Sequence, residues 1–268
     1  MSRTILLRWG LKDSLRSYWF LANAGLFLAG GVLLTLFGGT DVTVLGYRGF
    51  ARALAGLAQL ALFLVPVMAL FPATAAIAGE RELGSLDYLL AQPLDRGAVF
   101  HGKWSGVNAA LLLSLGLAFS VTGLVAALRG VPPGLIASLL GLTCLLATAF
   151  ASLGLWISAV APSRTRAISL GLTAWIGLTV LGSLGVLAWL VRWGLPAWAL
   201  EGWSFVNPVE AYRLAAITLL DADATLLGPV GAALAERFGH VGVIGLAVLS
   251  LAGWTGGAYW AGRVSFRG

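Results

Sequence analysis

Charge is the first thing this sequence is short of. Asp, Glu, Lys and Arg make up 10% of its 268 residues and apolar residues 59%, whereas about a quarter of a soluble domain is charged. A chain so poor in charge cannot clothe a water-facing surface, so an integral membrane protein is expected. Sulfur and imidazole are scarce too, with one Cys, two Met and two His. The single Cys144 rules out an intrachain disulfide, and so few ligands leave no rich metal site. No Asp, Glu, Lys or Arg falls in the middle of a long apolar run. Ionisable groups at membrane depth mark ion and proton pathways, so a proton- or sodium-driven carrier is not expected. Haem ligation between spans needs paired intramembrane histidines, and His101 and His240 lie outside the interiors of the apolar runs. An intramembrane serine protease needs a Gly-x-Ser-Gly setting, whereas Ser152 stands in Phe150-Ala151-Ser152-Leu153-Gly154. Arg3, Arg8, Lys12 and Arg16 share the first sixteen residues with no apolar core among them, so no cleavable signal peptide is expected there.

What the chain has in abundance is oil. A helix needs about 20 apolar residues to cross a bilayer, and six stretches qualify: 18–37, 54–78, 104–128, 135–160, 167–191 and 241–261. Cytoplasmic loops of membrane proteins are enriched in Lys and Arg. With both termini on the cytoplasmic side, eleven of the seventeen Lys and Arg fall inside and six outside. The expected fold is therefore all-α, with six transmembrane helices and cytoplasmic N- and C-termini, in the cytoplasmic (inner) membrane. The net charge of +6 sits at the ends of the apolar runs, as topology demands, and not in a patch for nucleic acid. Residues 1–16 alternate basic and apolar positions and read as an amphipathic helix on the membrane surface. Residues 17–268 then form one transmembrane domain. Within it, Pro66 and Pro72 predict a kink in the second span. Asn23, Gln59 and Asn108 predict hydrogen bonds between helices, and Gly182–Gly185 and Gly253–Gly257 predict close helix approach.

The most charged segment runs from Gly79 to Arg96, between the second and third spans. Glu80, Arg81 and Glu82 open it. Leu83, Leu86, Leu89 and Leu90 then recur at three- and four-residue spacings, which predicts an amphipathic helix over 83–92. Pro93 disfavours helix at the residue before it and ends the element. Such a helix, between two spans, has no evident apolar core of its own and is expected to be gripped by another protein. Just beyond it, Gly97-Ala98-Val99-Phe100-His101-Gly102-Lys103 has the spacing of an ATPase phosphate loop. Trp104, however, stands where Ser or Thr must hold magnesium, and no strand precedes the motif. Any ATP hydrolysis must come from another chain.

The one large extracytoplasmic segment is 192–240. Asn207-Pro208 reads as an N-cap followed by the first helical position, and Glu210 suits the positive end of that helix. Short helices at the outer membrane face are expected here.

Gly79-Glu80-Arg81-Glu82-x-Gly84-Ser85-Leu86-x-x-Leu89-Leu90-x-x-Pro93-Leu94-x-Arg96, followed by Gly102-Lys103, resembles the signature of permease subunits of ABC-2 type transporters. The six-span layout is similar over most of the chain. Asn207-Pro208 and Tyr212-Arg213 in the last outer loop are similar to the NosY-type membrane subunits of nitrous oxide reductase maturation transporters. The resemblance implies a type V exporter-like, ABC-2 permease fold in which 1–16 is the connecting helix and 83–92 the coupling helix. It implies a homodimer of this non-catalytic permease joined to two cytoplasmic ABC ATPase subunits. ATP and Mg would be bound by those subunits, with no cofactor, catalytic residue or metal ligand on this chain. Coupling to the ATPase would fall to Glu80, Glu82, Leu83, Gly84, Ser85, Leu86, Leu89, Leu90, Pro93, Arg96 and Lys103. Asn207, Pro208, Tyr212 and Arg213 would face a periplasmic partner protein. The implied role is ATP-driven transport or force transmission across the membrane in copper-site maturation of the reductase. An exporter of a lipid, drug or polysaccharide is the alternative within the family, and a membrane enzyme or anchor subunit the alternative outside it.

Overall fold

The computed structural model of the chain describes residues 18–37, 49–91, 95–182, 197–220 and 228–267. Every described element is helical. In chain order they are α1 (Tyr18–Phe37), α2 (Gly49–Glu82), α3 (Ser85–Leu90), α4 (Arg96–Leu128), α5 (Pro133–Val160) and α6 (Arg164–Trp175). A π-helical turn, Ile176–Leu181, continues α6, and α7 (Ala197–Val206), α8 (Pro208–Leu219) and α9 (Gly228–Arg267) follow. Four stretches among the described residues are long and apolar enough to cross a membrane: Leu54–Glu82, Arg96–Leu128, Pro133–Val160 and Gly231–Phe266. The amphipathic segment 1–16 and Pro93 lie outside the described residues, as do the side chains of Asn23, Leu89 and Leu90.

Helix length places the charged segment. The 34 residues of α2 rise about 51 Å, well beyond the ~30 Å hydrocarbon core. The expected second span ends at residue 78, but the helix runs on through Glu80, Arg81 and Glu82 as its last turn. Pro66 and Pro72 sit inside it without ending it, although each removes one backbone donor. What ends it is Gly84 at φ +71°, the left-handed conformation in which a glycine closes a helix. The Leu83 and Gly84 N–H groups donate back to the carbonyls of Gly79 (3.1 Å) and Arg81 (3.2 Å). No neighbour would meet a side chain at Gly84. The backbone alone therefore gives a reason for glycine at this position.

The core is built where α2, α4, α5, α8 and α9 converge, around Leu70, Phe100, Leu146, Phe150, Tyr212 and Leu251. Phe27 of α1 stacks on Phe119 of α4 at 5.4 Å. Small residues let backbones close up. A Cβ on Gly154 would stand 3.0 Å from the Leu70 carbonyl oxygen, and one on Gly171 2.8 Å from a Thr74 methyl. Without a hydrophobic drive between spans, such close packing is a main source of helix association in lipid. A Cβ on Gly253, Gly256 or Gly257 would meet no atom within 4 Å among the described residues, so the close approach expected there is not seen among them. Asn108 likewise departs from expectation: its amide donates to Trp104 of its own helix at 2.8 Å, not to a neighbouring span. Gln59 is exposed. Gly239, at φ 69°, interrupts α9, separating a short first segment from the long one that follows.

Candidate functional site

At one end of the bundle, the turn from α2 into α3 is tied to three other helices. Glu80 pairs with Lys103 of α4 in a half-buried ion pair. The Arg81 guanidinium donates to the carbonyl of Ala161 and, at 3.0 Å, to that of Ala159, both at the end of α5. The Glu82 carboxylate accepts from the Arg164 N–H, at the start of α6, at 2.9 Å. Ser85 Oγ donates to the Glu80 carbonyl at 3.2 Å, holding α3 against the end of α2. Asp95 caps α4 by accepting from the Ala98 N–H at 3.2 Å, and Arg96 is exposed at its first position.

The apolar stripe of the turn faces two ways. Leu86 is 4% exposed and joins the main core, whereas Leu83 and Tyr88 are 82% and 81% exposed. The expectation that this helix lacks an apolar core of its own fails at Leu86, because α3 folds back against α2. Tyr88 was not among the expected coupling residues. The sequence shows only that it falls off the leucine stripe, which is why it points outward.

The segment expected at the outer face is sealed from within. At the end of the π-helical turn, side chains of α7 and of the residue that caps α8 reach backbone carbonyls. Asn207 Nδ2 donates to the Leu178 carbonyl at 2.8 Å, and Trp203 Nε1 to the Gly182 carbonyl at 3.1 Å. Asn207 Oδ1 also caps α8 by accepting from the Val209 N–H at 2.9 Å. A Cβ on Gly182 would lie 2.2 Å from Asn207 Nδ2, so glycine is required at that crossing. The Thr143 hydroxyl is committed to the Leu139 carbonyl, so the Tyr212 phenol donates to Thr143 Oγ1, at 3.1 Å. Burial pushes the phenol pKa well above its ordinary value. Glu210 is buried and held by Arg213 Nε at 2.9 Å. Asn207, Pro208 and Tyr212 are thus enclosed by their own chain, and of the four residues expected to face a periplasmic partner only Arg213 is exposed.

A family model for ABC-2 family transporter proteins matches residues 5–267. The chain belongs to the ABC-2 transporter family. It is 33% identical over 261 residues to a probable ABC transporter permease protein NosY of Pseudomonas aeruginosa, covering 94% of this chain and 90% of that protein. It is 31% identical over 230 residues to a protein of the same description from Stutzerimonas stutzeri, covering 81% and 82% respectively.

Alternative chemistry on this ABC-2 chain meets local obstacles. Gly97–Lys103 lies inside the first turns of α4, where the N–H groups of Ala98 and Val99 already go to Asp95, so the segment forms a capped helix and not a phosphate-cradling loop. Ser152 is fully buried, accepts from Trp104 Nε1 at 2.8 Å and donates to the Thr148 carbonyl at 2.8 Å. His101 instead bonds the Tyr259 hydroxyl at 3.1 Å. Among the described residues no three His, Cys, Asp or Glu gather into a metal-ligating group.

Proposed function

We propose that this chain is the six-span permease half of an ABC-2 transporter, with both termini cytoplasmic in the inner membrane, which docks on a separate ABC ATPase through its α2–α3 turn. Two copies would join two ATPase subunits. The observation that carries the reading is the pair of exposed apolar side chains, Leu83 and Tyr88, on a turn that is otherwise fastened to the transmembrane helices. Many apolar residues of this chain are exposed, but these two stand on the charged turn between two spans, where an ATPase would cover them. The likeness to proteins described as NosY supports a place in nitrous oxide reductase maturation, where ATP-driven movement or force would serve the copper site. Leu89, Leu90 and Pro93 belong to the same docking segment by sequence.

The test separates outward from inward residues. Tyr88→Ala should weaken ATPase association roughly thirtyfold, the consequence of losing about 2 kcal/mol at a hot spot, without lowering thermal stability. Leu86→Ala should instead destabilise the permease by about 2–3 kcal/mol, the low end for a buried leucine. Unchanged ATPase binding by a Leu83→Ala/Tyr88→Ala double variant that inserts normally would refute the docking surface.

A further inference from the structure

We infer that Arg81 and Glu82 form a two-pole clamp that fastens the α2–α3 turn to the bend between α5 and α6, making that helix pair the receiver of force from α3. The inference rests on the coupling reading above.

The last carbonyls of a helix and the first N–H groups of the next lack intrahelical partners, and they carry partial negative and positive charge respectively. At the α5–α6 bend both poles are answered by adjacent residues of α2. The Arg81 cation sits on the carbonyls of Ala159 and Ala161, the negative end of α5. The Glu82 carboxylate sits on the N–H of Arg164, the positive start of α6. Exchanging the two residues would set each charge against the wrong pole. Arg81 also spans two acceptors with one planar fork, which a lysine ammonium cannot match in geometry.

Further contacts fix the same pair of helices to α2. Ser158 Oγ accepts from the N–H groups of Ile77 (3.0 Å) and Ala78 (2.9 Å). Ala78, Ala161 and Ala167 form a small buried apolar cluster beneath the clamp. Toward α4, by contrast, the charged turn offers the Glu80–Lys103 ion pair. Arg81, which makes two of the three clamp bonds, is only partly exposed, unlike Leu83 and Tyr88. Its loss should therefore uncouple without undocking.

Spin labels at Ala91→Cys and Thr165→Cys, in a Cys144→Ala background in nanodiscs, measure the clamp on the permease alone. Arg81→Ala should broaden the distance distribution between them, and Lys103→Ala should leave it narrow. With the cognate ATPase added to unlabelled protein, Arg81→Ala should cut permease-stimulated turnover at least about tenfold. Its association constant should stay within about twofold of the parent. Arg81→Lys keeps the charge and loses the fork, so it should fall between the two, and it carries the same measurements if the alanine variant fails to insert. An unchanged distance distribution, or association falling in step with turnover, overturns the clamp. If the parent itself neither binds nor stimulates the ATPase, the coupling reading falls and force delivery with it, while the distances still report whether the two helices are fastened.

Discussion

The crossing of Gly182 and Asn207 offers a sharp test of how the segment expected at the outer face is closed. Gly182→Ala places a methyl carbon 2.2 Å from Asn207 Nδ2, a distance no contact tolerates, so the amide must swing away. Two interactions go with it. One is the cap on α8 through the Val209 N–H, worth about 1 kcal/mol. The other is the bond to the Leu178 carbonyl; leaving that acceptor unmet inside the protein costs about 1–3 kcal/mol. The sum is roughly 2–4 kcal/mol, or about 5–10 °C in apparent melting temperature for a domain of this size. Thermal unfolding of purified protein in nanodiscs, followed by intrinsic Trp fluorescence, reads it. The decisive arm is the double variant. In an Asn207→Ala background the obstructing amide is already gone, so Gly182→Ala should add less than about 0.5 kcal/mol, well short of additivity. Additive losses, or a Gly182→Ala protein that melts with the parent, would refute the assigned crossing.

Two further outcomes follow from the geometry. Gly84→Ala should cost about 1–2 kcal/mol because φ +71° is unfavourable for any side chain, yet Gly84→Asn should cost less, since Asn tolerates the left-handed region; equal losses, measured by thermal unfolding, would point to a steric cause. In intact cells, a cysteine at Ser85 should resist a membrane-impermeant thiol reagent while one at Glu236 labels, and labelling at Ser85 would reverse the orientation.

Much of this arrangement was legible in the residues, because long apolar runs and caps act locally. Asn207-Pro208 announces its helix start, and the structure places the cap there. The described spans coincide with apolar stretches, since only a helix satisfies its own backbone in lipid. What the residues could not show is which neighbour answers a polar or apolar group. Leu86 and Leu83 look alike in the stripe, yet one turns into the core because Gly84 reverses the chain between them. Nothing near Glu82 in the sequence shows that its carboxylate meets a backbone N–H eighty-two residues away. Asn108 reads as a tie between spans but finds its own helix four residues back. The π-helical turn has no composition signal. Its only trace is the Asn and Trp that later meet its carbonyls.

The prolines of α2 have a mechanical consequence. A helix bends most readily where its backbone bonds are missing, and Pro66 and Pro72 divide α2 unequally. The ten residues after Pro72 form an inner arm of about 15 Å, and the seventeen before Pro66 an outer arm of about 25 Å. With the inner arm fastened to its neighbours, bending concentrates at the joint. A flexure of about 10° there would carry Gly49 about 4 Å sideways, by the 1.5 Å rise per residue. On the coupling reading proposed above, flexure at this joint would turn a small stroke at the α2–α3 turn into a larger one at the Gly49 end of α2.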